Sequence, residues 1–178
     1  LGVAKNTEDG IEVKVHPMLI PNNHPLANVN DAFNAVFVHG KAMDDAMFMG
    51  RGAGQMPTAS AVVGDIIDVC RNIVHDSCGR IGCCCYKNLE VKDITDTKSK
   101  FFLRLEVADK QGVLANIASV LGNSGVSIAQ VVQKSGKDGV AELVIITAEV
   151  LEKNFNDAMA VFKGLSAVKN IAGVIRVY

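Results

Sequence analysis

The chain has 178 residues, 49% of them hydrophobic and 21% charged, with a formal net charge of -1. That is enough apolar material for one large domain or two small ones with real cores. Charge this close to zero excludes a basic field for nucleic acid or a membrane surface, and no apolar run approaches the ~20 residues of a membrane span.

The opening LGVAKNTEDG has no charged stretch followed by an apolar one, so it does not read as a secretory signal. It also lacks Met and reads as chain in mid-course, so the sequence is expected to be a portion of a longer protein. GIEVKVHPMLIP (10–21) alternates Ile11, Val13 and Val15 with Glu12, Lys14 and His16. Period two predicts a half-buried strand, limited by Pro17 and Pro21. NNHPLANVND (22–31) is a turn segment, and AFNAVFVHG (32–40) and DDAMFMG (44–50) are predicted strands, antiparallel neighbours joined by short loops.

The stretch MFMGRGAGQMPTASAVVGD (47–65) places Gly50, Gly52 and Gly54 just before an apolar helical run. Thr58 is the expected N-cap. Ala61, Val62, Ile66, Val69 and Cys70 recur at helical spacing, and so do Ala59, Val63, Ile67 and Val74. Two such sets predict a helix apolar round much of its circumference, buried on several sides. Residues 75–100 break in composition, and 77–100 are expected to link two domains. All five cysteines, Cys70, Cys78, Cys83, Cys84 and Cys85, fall between residues 70 and 85. An odd, clustered set without an export signal argues for reduced thiols and a cytoplasmic protein. His75, Cys78, Cys83 and Cys85 could be imagined as zinc ligands. There is no C-x-x-C pair, however, and three adjacent cysteines cannot all face one ion, so no metal is expected.

From Lys100 a second pattern begins. FFLRLEVAD (101–109) reads as a strand and GVLANIASVLGNSG (112–125) as a helix with Val113, Leu114, Ile117, Ala118 and Leu121 on one face. VSIAQVVQK (126–134) and VAELVIITAEV (140–150) read as strands. LEKNFNDAMAVFKGL (151–165) reads as a helix with Phe155, Ala158, Met159 and Phe162 inward, and VKNIAGVIRVY (168–178) as a last strand. The order β-α-β-β-α-β predicts a ferredoxin-like unit, with both helices on one face of a four-stranded antiparallel sheet.

VHPMLIPNNHPLANVNDAFNAVFVHG followed by MGRGAGQMPTASAVVGDIIDV resembles the end of the catalytic region of homoserine dehydrogenases. ADKQGVLANIASVLGNSGVSI, within 101–178, resembles an ACT domain, an amino-acid-sensing module. The resemblance covers nearly the whole chain apart from the cysteine-rich stretch. The fold class it implies is α+β: antiparallel strands and one buried helix from a substrate/dimerisation domain (1–76), a linker (77–100), and an ACT regulatory domain (101–178). The activity it implies is interconversion of aspartate semialdehyde and homoserine with NAD(P), toward threonine and methionine. The family's nucleotide-binding domain, catalytic lysine and substrate-binding acidic residues would precede Leu1. No catalytic residue is therefore assigned here, and the chain alone is expected to be inactive and to hold no cofactor.

Within the chain, the resemblance places the 50–58 segment near the nicotinamide end of the cofactor, with Gly54, then Gly52, as expected contacts. The plainer reading is a tight strand-to-helix turn. His16, His24, His39 and His75 lack partners at useful spacing and are read as surface or satisfied core residues. In the ACT-like half, Asp109 or Asn116 would bind an amino acid's ammonium or polar group. The helix start at Gly112 and Val113 would bind its carboxylate, and threonine is the effector that pathway logic favours. The plainer reading there is a capped helix and a solvated turn. The family resemblance also implies a homo-oligomer, dimer or tetramer, through the first-segment strands and the ACT sheet. The alternative is a non-enzymatic amino-acid-binding regulatory and dimerisation module.

Overall fold

A computed structural model describes residues 1–79, 82, 88–134, 136 and 138–178. Cys83, Cys84 and Cys85 lie outside these. In chain order the elements are β1 (Gly2–Thr7), β2 (Gly10–Val15), β3 (Met18–Leu19), β4 (Phe33–Gly40), β5 (Asp44–Arg51), α1 (Gln55–Val74), β6 (Lys98–Ala108), α2 (Val113–Asn123), β7 (Ile128–Lys134), β8 (Val140–Thr147), β9 (Val150–Leu151), α3 (Glu152–Gly164) and β10 (Val168–Val177). They form two compact units: Leu1–Ile20 with Leu89–Tyr178, and Pro21–Asn88.

The first unit is built on a sheet of order β3-β10-β6-β8-β7, with β9 pairing the start of β6. The four long strands are antiparallel neighbours, as the β-α-β-β-α-β pattern requires. On β6 alternate residues are buried, so Phe101, Leu103, Leu105 and Val107 all point to one face. They meet Ala141, Leu143 and Ile145 of β8, Val113, Ile117 and Leu121 of α2, and Phe155, Ala158 and Phe162 of α3 in one core. Phe101 stacks on Phe155 with ring centroids 3.7 Å apart. Leu114, expected on the inner face of α2, is 38% exposed.

Residues 1–20 belong to this unit, and of them only β3 joins the large sheet. β1 and β2 form a hairpin, and β3 adds to β10 in parallel, Met18 opposite Arg176 and Leu19 opposite Val177. Ile11 exchanges backbone hydrogen bonds with the segment 90–92: its N–H donates to the Glu90 carbonyl at 2.9 Å, and it accepts from Lys92 N at 2.9 Å. The single strand expected over 10–21 is thus two, broken at Pro17, which fixes φ and has no N–H for a ladder.

A polar cluster lies at this end of the unit. Lys14 Nζ donates to the Lys98 carbonyl (2.7 Å) and to Ser99 Oγ (3.0 Å). The Ser99 hydroxyl donates to Glu152 Oε1 at 2.8 Å. Arg176 donates to both Glu152 oxygens, Nε to Oε1 at 2.6 Å and Nη2 to Oε2 at 2.7 Å. Lys14 also lies 3.6 Å from Glu12, which Lys92 approaches at 3.6 Å. Glu12, Lys14, Ser99 and Glu152 are buried. Such charges persist in an interior only when paired and hydrogen-bonded, as these are.

The second unit holds the β4–β5 hairpin and α1. The hairpin is in continuous register from Phe33 opposite Arg51 to Gly40 opposite Asp44. HPLANV forms a short 3-10 turn at Pro25–Asn28, which the His24 ring caps by accepting from Leu26 N at 3.2 Å. The helix expected after the glycines is present, but two expectations about it are corrected. Its N-cap is Gly54 and not Thr58; Thr58 N donates to the Gly54 carbonyl at 3.1 Å, one turn inside. Nor is it buried: no residue of α1 is, and Val62, Ile66 and Ile73 are each more than half exposed. Among the described residues of its unit the only sheet is a two-stranded hairpin, too small to cover a helix apolar on several sides.

Candidate functional site

The bend between β5 and α1 is exposed from Gly50 to Gly54. Gly54 has φ +124°, which side-chain-bearing residues rarely adopt. Gly52 N donates to the Ala32 carbonyl at 2.8 Å, and a Cβ on Gly52 would run into the Asn34 side-chain amide. Gly54 thus answers to backbone conformation and Gly52 to close approach within the hairpin. Gly50 answers to neither: a Cβ there would meet no atom within 4 Å. On its open side the bend offers backbone and space. It leads directly into the positive end of a 20-residue helix.

In the first unit a cavity of about 320 Å³ opens where β6 passes into α2. Asp109, Gly112 and Val113 line it, together with Lys110, Gln133 and Leu114 among others. Asn116, also expected there, does not line it. It lies exposed one helical turn in, its backbone N–H donating to the Gly112 carbonyl at 3.0 Å. Gly112, at φ +83°, caps α2, and Asp109 N donates to the Gly139 carbonyl at 2.9 Å. The cavity therefore combines a carboxylate, an ammonium group, a helix start and apolar walls from Val107, Val113 and Leu143. That set can meet both charged ends of a small zwitterion and shelter a short side chain. Gln133, not foreseen, comes from β7. It stands opposite Leu143 of β8, and Ala141 two residues before stands opposite Val107 of β6. Only strand register brings it here.

The histidines form no acid–base array. His39 Nδ1 meets Asp45 Oδ1 at 2.7 Å across the hairpin, with both side chains well exposed. His24 packs its ring against Phe37, centroids 4.8 Å apart. Among the described residues no three metal-ligating side chains converge, and no helix is long and apolar enough to cross a membrane.

The four-stranded antiparallel sheet with its two helices is a ferredoxin-like unit, and residues 95–176 match the ACT domain family. Residues 1–67 match the homoserine dehydrogenase family, so along the chain a segment similar to homoserine dehydrogenases precedes one similar to ACT domains. Homoserine dehydrogenase of Pseudomonas aeruginosa is 38% identical over 99% of this chain, and that of Corynebacterium glutamicum 40% identical over 97%. The chain spans 42% and 38% of these relatives' lengths. Among solved structures, homoserine dehydrogenase of Thiobacillus denitrificans superposes with a TM-score of 0.87 at 37% identity, over 99% of this chain and 41% of that one. The S. aureus enzyme at pH 7.0 gives 0.58 at 25% identity, over 99% of this chain and 40% of that one.

Proposed function

We propose that this chain is the C-terminal part of a homoserine dehydrogenase, a protein that interconverts aspartate semialdehyde and homoserine with NAD(P). The observation that carries this reading is the exposed glycine bend running into a helix that is apolar round much of its circumference, with none of its residues buried. Such a helix is stable in water only when something covers it, and the relatives are more than twice as long as this chain. The cofactor would supply the hydride. The contribution of this chain is one wall, in which Gly54 and Gly52 keep the backbone bare and Gly50 leaves room for a flat ring. Reductase activity with aspartate semialdehyde and NADPH or NADH tests this: the full-length protein turns over and the 178-residue chain does not. Turnover by this chain alone would overturn it.

The cavity at 107–114 is read as an effector site, with threonine as its ligand. Asp109 would take the ammonium group and the start of α2 at Gly112–Val113 the carboxylate; Asn116 does not line the cavity. Calorimetry with threonine should give heat that Asp109→Ala diminishes, and no heat at millimolar threonine removes the effector. The protein is also read as a homo-oligomer, dimer or tetramer. Val36, Val38, Phe48 and Met49 on the hairpin, and Val131 and Val132 on the ACT sheet, are exposed apolar residues that a second copy would cover. A monomer by light scattering at micromolar concentration would contradict this.

A further inference from the structure

The cavity and the buried polar cluster sit at opposite ends of one strand. β6 runs unbroken from Lys98 and Ser99, which take hydrogen bonds from Lys14, to Ala108 at the cavity, roughly 30 Å at ~3.3 Å per residue. β10 lies along it. Its pairing with β6 is irregular at Val168–Asn170 and Ile171–Gly173, near the cavity end, and in unbroken register from Gly173 to Val177 at the cluster end. β6 itself is held in unbroken register against β8 from Phe102 to Ala108, so it links the cavity end to the cluster end as one continuous, packed strand. There Arg176 of β10, Ser99 of β6 and Glu152 of α3 are joined through charge-assisted hydrogen bonds to Lys14 of β2, and β3 is laddered to β10. Residues 1–20 match dehydrogenase sequence, yet they pack within the ACT-containing unit.

We infer that the Lys14–Ser99–Glu152–Arg176 cluster is the joint by which the 109–112 loop acts on β2 and β3, and so on the chain that continues at Pro21. The ligand half of this inference rests on the effector reading above. Lys14 and Glu152 are positioning residues: they touch no ligand, and they make residues 2–19 move with β6 and β10.

Hydrogen exchange read by mass spectrometry, on the full-length protein, tests it with Glu152→Gln and with the milder Ser99→Ala, which keeps the packing and removes only the bridging hydroxyl. Each variant should speed exchange in 2–19 by roughly tenfold or more while β8 and α2 stay protected, as loss of a buried hydrogen-bonded charge link implies. Saturating threonine should slow exchange at both 109–113 and 14–19 in the unaltered protein, and only at 109–113 in the variants. Unchanged exchange in 2–19, or an equal rise through β8 and α2, overturns the joint. Protection at 109–113 with none at 14–19 in the unaltered protein overturns the coupling while leaving the effector standing. Protection at neither segment removes the effector, and with it the coupling.

Discussion

The two units spend their apolar residues differently. In the first, the large apolar side chains of β6, β8, α2 and α3 close on one another, and every buried hydrophobic residue among those described lies between Phe101 and Phe162. In the second, α1 carries just as strong an apolar pattern and buries none of it. Hydrophobic periodicity reports that a face is destined for burial; it does not report whether the covering surface belongs to the same stretch of chain. A βαββαβ segment brings its own cover, because two helices and a four-stranded sheet are opposite walls of one core. A hairpin and one helix do not.

Core truncation should separate the units most widely. Leu105→Ala or Ile117→Ala should each cost about 2–5 kcal/mol in urea denaturation of this chain, whereas Ile66→Ala should lie within about 0.5 kcal/mol of zero. An equal loss at Ile66 would mean that α1 is covered after all. Next comes the polar cluster. Glu152→Ala strands Arg176 and takes the acceptor from the Ser99 hydroxyl, and should cost about 2–3 kcal/mol by the same measurement, while a double change with Arg176→Leu should recover part of the loss.

The pH dependence sharpens the contrast further. Burial pushes the Glu152 carboxyl up, but hydrogen bonds from Arg176 and Ser99, with the charge of Arg176 and Lys14, outweigh it and hold the group below the usual carboxylate range. A depressed carboxyl contributes stability that is complete above its unfolded pKa, about 4.3, and lost as pH falls through its folded value. Burial also holds the His16 imidazole below its ordinary value, with Arg176 adding to the effect. Its protonation on acidification opposes folding too. The melting temperature of the first unit should therefore fall on acidification, first gently below about pH 6.5 and then steeply below about 4.3. Glu152→Gln should flatten the steep part. The smallest effect concerns the bend: Gly54→Ala should cost about 1 kcal/mol for its positive φ, and Gly50→Ala close to nothing in this chain.

The ACT-like fold was readable in the sequence because its signals are local. Alternation on 101–107, the 113/117/121 and 155/158/162 spacings and the glycines at 122 and 125 each fix an element without reference to the rest. Asp109, Gly112 and Val113 could be named because the strand–helix loop that holds them is contiguous. Gln133 could not, since its place depends on register across β7 and β8. The buried cluster was equally hidden: Lys14 and Ser99 stand 85 residues apart, and Lys14 reads as the solvent side of an alternating strand. β1 was missed because GVAKNT has almost no apolar pattern, and its pairing with β2 makes it a strand. Thr58 was preferred as a cap on side-chain chemistry, but the Gly54 carbonyl already begins the helix, with Thr58 as its hydrogen-bond partner.

The short parallel strand β3 has one more effect. A sheet margin with free backbone groups is a template on which other polypeptides can add and, unchecked, form fibres. β3 blocks the last two residues of β10, and the two bulges disturb the regular ladder geometry of the earlier ones. At the far margin β7 is irregular only at Ile128–Gln130, and its residues 130–134 run straight. Lengthening of this sheet by another polypeptide, wanted or pathological, is thereby directed to Gln130–Lys134.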